Sequence, residues 1–242
     1  MDEDLRREIE DEVPQIRYAI YFMPHEASPL WQFGSSVLGF DAAVFADVAY
    51  PEDPIFREPS TWTYTAGPRQ YGFHATLKAP FHLRAGRSVD DLEEQLRVFA
   101  AGRQPFGMRL KLATMGDFFA LVAAPPPEEL DRLADACVRD FDEFRAPLTA
   151  ADRERRHPDR LTPRELETLD RWGYPFCFEN FRFHMTLTGS MDLASQIRFG
   201  PVLSHLFGMI DPDIEVDAVA LFRQDERNGR FRVQRRFPFM TR

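Results

Sequence analysis

Two histidines occupy nearly the same setting: His74 in YGFHATLKA and His184 in FRFHMTLTG. Both strings are rich in aromatic and β-branched residues and read as β-strands. Strand side chains alternate, so residues two apart share a face. His74, Thr76 and Lys78 therefore line one side of the first copy, against Phe73, Ala75 and Leu77 on the other. In the second copy Arg182, His184, Thr186 and Thr188 oppose Phe181, Phe183, Met185 and Leu187. Each strand thus offers an imidazole, a hydroxyl and a cation from an apolar backing. Imidazole is the side chain that both takes and gives a proton near neutrality. Hydroxyls and cations can hold the oxygens of a phosphoryl group. Together they suit acid–base chemistry on a phosphodiester.

Strand packing alone does not require a second His-x-Thr. The copies are 184 − 74 = 110 residues apart, about the size of a small domain or lobe. Duplication of a lobe accounts for the pair better than coincidence does. The other histidines, His25, His82, His157 and His205, stand in a turn, after Pro80, in an Arg-rich connector and in a helical stretch, and read as surface or packing residues. No acidic residue recurs beside either motif to complete a metal site. Neither a metal nor any other cofactor is expected.

The surrounding elements repeat as well. Ile16–Phe22 reads as a strand ended by Pro24, and Ser28–Phe40 as a helix with Ser28 as cap and Pro29 at its first position. Residues 41–70 read as irregular. After His74 a helix capped by Ser88 is followed by strands Phe106–Met115 and Phe118–Ala124 about a turn at Gly116-Asp117. After His184 the order returns: a helix over Leu193–Phe207, then strands Ile214–Gln224 and Arg230–Phe239 about Asn228-Gly229, a strong hairpin signal. Between the halves lie a helix over Pro127–Phe144 and a connector, about 145–175, carrying Arg153, Arg155, Arg156, Arg160 and Arg164. That connector is a solvated helical stretch on one reading and a basic flap over an anionic ligand on the other. Tyr71 precedes the first His strand and is expected near the cleft mouth. Arg223 and Arg232 read as a cross-strand surface pair, the alternative being contact with a distal phosphate.

A chain of 242 residues with 44% hydrophobic and 29% charged residues has enough apolar material for a proper core. Residues 1–14 form a charged lead-in, and 15–242 are expected to make a single bilobal domain. Net charge is −9, which argues against broad binding of duplex nucleic acid through a Lys/Arg surface. A small phosphorylated substrate in a locally basic cleft remains open. Cys137 and Cys177 form no disulfide framework and read as free buried thiols. The acidic N-terminus is unlike a secretory signal, and no apolar run approaches the ~20 residues of a membrane span, so a cytoplasmic location is expected. Nothing in the sequence sets the oligomeric state.

The paired motifs, within 71–79 and 181–189, and the repeated order of strand, helix, strand, strand resemble the 2H phosphoesterase superfamily. That superfamily includes RNA-ligase-like and cyclic nucleotide phosphodiesterases. The resemblance implies an α+β fold: a pseudo-twofold duplication, two antiparallel sheets facing a central cleft, and helices outside. It implies metal-independent chemistry, with His74 and His184 catalytic and Thr76 and Thr186 holding phosphate. Lys78, Arg182 and Thr188 complete the expected phosphate-binding set. Lys78 departs from the family pattern: it serves either a second phosphate or the solvated end of a strand. IRYAIYF and SPLWQFGSSVLGFD further resemble a bacterial branch associated with phosphonate use, which implies a cyclic sugar phosphate. The expected activity is hydrolysis of a small cyclic phosphodiester, either such a sugar phosphate or a 2′,3′-cyclic nucleotide. The alternatives are cleavage of a linear 2′–5′ or 3′–5′ RNA linkage, and a non-catalytic phosphate- or nucleotide-binding module.

Overall fold

The structure, a computed structural model, describes residues 16–240, so the lead-in lies outside the described residues. Strand β1, Arg17–Phe22, is buried along almost its whole length, as its apolar sequence requires. Helix α1, Pro29–Leu38, begins where Ser28 accepts the amide of Trp31 and ends at Gly39 in the left-handed region. A two-stranded ribbon follows, β2 (Phe40–Asp41) with β3 (Ala46–Asp47).

Helix α2, Pro59–Arg69, stands where irregular chain was expected. Its sequence, PSTWTYTAGPR, is poor in helix formers and carries Pro68 within it. Tertiary contacts override that propensity. Thr61 donates to the carbonyl of Ile55 at 2.7 Å, and Arg69 Nε donates to that of Leu38 at 2.7 Å. The Arg69 guanidinium also lies 3.7 Å from the Trp62 ring centroid.

The first His strand is β4, Ala75–Phe81, and it runs on through Pro80. Helix α3, Val89–Ala101, carries a capping box between Ser88 and Asp91. Strands β5 (Phe106–Met115) and β6 (Phe118–Ala123) form the expected hairpin. Helix α4, Glu128–Asp140, is continued by a 3-10 turn, Asp142–Phe144. The connector holds α5 (Ala150–Glu154) and α6 (Pro163–Trp172), the latter opened by a Thr162–Glu165 capping box. Strand β7, His184–Thr186, carries the second motif, and α7 spans Leu193–Phe207.

The expected strand Ile214–Gln224 is two strands: β8 (Asp213–Val216) and β9 (Ala218–Gln224), parted at Asp217. Strand β10, Phe231–Pro238, completes an eight-stranded sheet of order β10-β9-β1-β4-β7-β6-β5-β8. Two halves of four strands, each ending on a His strand, meet where Ala75 pairs with Met185. The fold is α+β, and its two sheets are continuous through that junction.

Each half draws on both repeats of the chain. Hairpin β5–β6 follows β4 in sequence but lies beside β7, while β9–β10 follows β7 but lies on the β4 side, next to β1. Helix α3 packs on β9 and β10, and α7 packs on β5. Strand β8 pairs with β5 at one edge, whereas β9, one residue later, lies next to the opposite edge. The sheet must therefore curl until its ends approach.

Candidate active site

The Ala75–Met185 pairing is antiparallel, which sets His74 across from Thr186 and Thr76 across from His184. All four line one cleft of about 170 Å³, together with Tyr21, Tyr71, Ala79, Pro80, Arg156 and Tyr174. The near-equivalence of the motifs thus becomes a local twofold arrangement of two imidazoles and two hydroxyls.

Both rings are held by the same device. His74 Nδ1 bonds the carbonyl of Gly72 at 2.9 Å, and His184 Nδ1 bonds that of Arg182 at 2.8 Å. A carbonyl only accepts, so Nδ1 carries the proton in each ring and Nε2 is the remaining nitrogen. Thr76 Oγ1 lies 3.2 Å from His74 Nε2. Gly72 has φ +75, and a Cβ there would lie 2.6 Å from Cβ of Ala42. Only glycine meets both conditions and still presents its carbonyl to His74.

Burial pulls His74 from an ordinary imidazole value to about 4; the Gly72 hydrogen bond opposes the shift, and the neighbouring His184 adds to it. His74 is therefore neutral at pH 7, with an unprotonated Nε2. Its ring stacks on Tyr21, centroids 3.8 Å apart and 24° between planes. Burial also holds the Tyr21 phenol well above its usual range, so it stays protonated. Tyr71 stacks on Phe231, its ring centroid 6.2 Å from that of His74, and lines the same cleft.

Other predicted residues go elsewhere. Lys78 is buried against α4, its Nζ donating to the Val138 carbonyl at 3.1 Å and lying 3.5 Å from Asp142. The β1–β4 register explains this. Tyr21 pairs with Thr76 but Ile20 pairs with Lys78, so Leu77 is an extra residue on β4. Such a bulge resets the alternation, and Lys78 no longer shares a face with Thr76. Burial pulls its ammonium down to about 8, against Asp142.

Thr188 lies beyond the end of β7, buried, its hydroxyl accepting the amide of Phe119 at 2.9 Å. It pins β6 to the chain after the second motif. Arg182 donates to the carbonyls of Glu179 and Phe181 at 2.9 and 2.6 Å and lines an adjoining apolar cavity. That cavity, about 340 Å³, runs from Thr76 and His184 to Phe118, Phe176, Phe178 and Phe181. Arg223 and Arg232 are paired across β9 and β10 and share Asp225, as expected of a surface pair.

The arginines of the connector differ in their partners. Arg153 is tied to Asp170 at 2.7 Å, Arg155 to Asp152 at 3.1 Å, and Arg164 to Glu179. Arg156 instead reaches the cleft, over the Tyr174 ring at 5.0 Å. Tyr21 and Tyr174 were not singled out from the sequence. The signal for Tyr21 was its place in IRYAIYF, the strand next to the first motif; nothing local marks Tyr174. Cys137 and Cys177 are buried free thiols, each pushed to about 12 by burial. Among the described residues no group of three or more His, Cys, Asp or Glu is placed to hold a metal ion, and no helix is long and apolar enough to cross a membrane.

A family model described as a protein of unknown function, DUF1045, matches residues 76–232. The chain belongs to the DUF1045 family. The match takes in Thr76, His184 and Thr186 and begins two residues after His74. The chain is 35% identical over 229 residues to a ribose 1,5-bisphosphate phosphokinase PhnN of Janthinobacterium sp. (strain Marseille), covering 92% of this chain and 51% of that protein. It is 34% identical over 226 residues to a protein of the same name from Laribacter hongkongensis (strain HLHK9), covering 91% and 51%. The chain thus spans about half the length of the curated relatives it matches. Among solved structures it is similar to E. coli LigT complexed with 3′-AMP, with a TM-score of 0.40, 15% identity, and 95% and 100% of the two chains covered.

Proposed function

We propose that this DUF1045 protein hydrolyses a small cyclic phosphodiester by two-histidine acid–base catalysis. The observation that carries the reading is the cleft at the β4–β7 junction. Two imidazoles, each anchored through Nδ1 to the carbonyl two residues earlier, line it with Thr76 and Thr186. Neutral His74 takes a proton from water at Nε2 as the water oxygen bonds to phosphorus. Protonated His184 gives its Nε2 proton to the ring oxygen as the P–O bond opposite breaks, leaving a phosphomonoester and a hydroxyl. The low value of His74, about 4, selects it as the base. The threonine hydroxyls donate to the non-bridging oxygens, and Arg156 offsets their developing charge. General acid–base transfer contributes roughly 10²–10⁴-fold, and charge and positioning supply the rest.

The names of the relatives bear on the substrate. They are given as kinases of a ribose bisphosphate, and this chain matches half of each. It has no Gly-x-x-x-x-Gly-Lys-Ser/Thr loop; its lysines are Lys78 and Lys111. We therefore assign the matched half to phosphoester hydrolysis on a phosphorylated ribose, in phosphonate degradation. The apolar cavity beside His184 supports a second reading, a 2′,3′-cyclic nucleotide whose base rests among Phe118, Phe176, Phe178 and Phe181.

Phosphorus NMR of the EDTA-treated protein with ribose 1,2-cyclic phosphate and with 2′,3′-cyclic nucleotides tests both. Ring opening by the wild type, reduced at least ~10³-fold in His74→Ala and His184→Ala, is the expected result. Ligand binding without turnover by folded wild type would favour the binding module instead.

A further inference from the structure

Beside the cleft lies a second cavity of about 280 Å³, and the two share Tyr71, Ala79, Pro80, Arg156 and Tyr174 as walls. Arg17, Lys78, Arg145, Arg155, Arg156 and Arg227 line it, an unusual concentration in a chain of net charge −9. Some of that charge is already answered: Arg155 by Asp152 at 3.1 Å, and Arg145 by Asp142 at 2.7 Å. Among the described residues, Arg17, Arg156 and Arg227 have no carboxylate within 4.0 Å. Neutral groups hold two of them. Arg17 Nε donates to Gln224 Oε1 at 2.7 Å, and Arg156 lies over Tyr174. Gln224 is fully buried, and its Nε2 donates to the Gly229 carbonyl at 2.7 Å, fixing the β9–β10 turn that carries Arg227. Arg17 and Arg156 are half-buried and close enough to repel each other. Half-buried guanidiniums held without a counter-charge are arranged for an anion that arrives with a ligand.

We propose that this cavity binds a second, terminal phosphate of the substrate, so that the molecule opened in the cleft is a cyclic phosphodiester also bearing a phosphomonoester. The inference rests on the hydrolytic reading and adds the substrate class to it. A monoester carries up to two charges on three oxygens, and several guanidiniums meet it better than one. The shared wall lets one small ligand place its diester between the imidazoles and its monoester among Arg17, Arg156 and Arg227. The cavity also gives the Arg-rich connector a purpose, since Arg156 belongs to both chambers.

The test is the ratio of kcat/KM between matched substrates. These are ribose 1,2-cyclic phosphate with and without a 5-phosphate, and 2′,3′-cyclic AMP with and without a 5′-phosphate. Wild type is expected to prefer the phosphorylated member by at least about tenfold, as charge-assisted contacts provide. Arg17→Gln and Arg227→Gln are each expected to lower the ratio severalfold, while Arg223→Gln, whose side chain pairs with Asp225, preserves it. A wild-type ratio near one, or a ratio unchanged in folded Arg17→Gln, overturns the proposal while leaving two-histidine hydrolysis standing. If folded wild type opens no member of the panel, calorimetry with ribose 5-phosphate decides separately. Binding that weakens about tenfold in Arg17→Gln sustains the phosphate cavity without hydrolysis, and absence of binding overturns it. A dinucleotide preferred over both monophosphates also overturns it, in favour of a linear chain.

Discussion

His74 and His184 are alike in sequence and unlike in surroundings. Stacked on Tyr21 and half-buried, His74 is lowered to about 4. Its acid limb in kcat/KM is therefore expected near pH 4, and substantial activity should persist at pH 5.5. A limb centred near 6.5 would mean that His74 is not the base. The same shift is linked to stability. The folded value lies below the unfolded value of ~6.5, so the unfolded chain binds the proton first. The contribution of neutral His74 is fully present above ~6.5 and is lost as pH falls from there towards 4, about 3 kcal/mol in all. Denaturant titrations at pH 7 and 4.5 are expected to show a smaller acid loss in His74→Gln than in wild type; equal losses would contradict the shift. Lys78 shows a different case: the bulge at Leu77 takes it off the Thr76 face and places it on the wall of the neighbouring basic cavity.

Most of the elements were legible, because their signals are local. Ser88, Thr162 and Ser28 mark helix starts, and the helix over Leu193–Phe207 follows its apolar spacing through Pro201. What could not be read depends on distant partners. Helix α2 is held by the Ile55 and Leu38 carbonyls, the bulge at Leu77 exists only against β1, and the break at Asp217 follows from β8 and β9 pairing with different neighbours. In the candidate site, the residues that line the cleft from on or beside the two motifs, His74, Thr76, His184, Thr186 and Tyr71, were legible. Arg156 and Tyr174 reach it from the connector, where nothing in the local sequence specifies their direction. At the element scale Gly72 is the sensitive position, since φ +75 and the contact with Ala42 both exclude a side chain. Gly72→Ala is expected to destabilise the fold by more than ~1 kcal/mol. It should also disturb the carbonyl that holds His74, lowering kcat more than it raises KM. Unchanged thermal unfolding would show that the loop can rearrange.

At the scale of the whole molecule the halves of the sheet are not the halves of the chain. Strands β5 and β6 from the first repeat complete the sheet around β7, and β9 and β10 from the second complete the sheet around β1 and β4. Fragments 16–145 and 146–240 are therefore each expected to fail to fold alone. Mixed or co-expressed, they are expected to give one complex with native circular dichroism. A cooperative unfolding transition in either fragment by itself would refute the exchanged arrangement.

The single residue between β8 and β9 has a consequence for biosynthesis. Because Asp217 joins a strand at one edge of the sheet to a strand near the other, the run of pairings is complete only after β9 and β10 have left the ribosome. His74 is made early, yet its stacking partner Tyr21 lies on β1, whose other neighbour, β9, is among the last strands synthesised. A chain ending before Ala218 would contain both motifs and still lack the β9 pairing that backs the cleft, so the cleft cannot exist until β9 has been made.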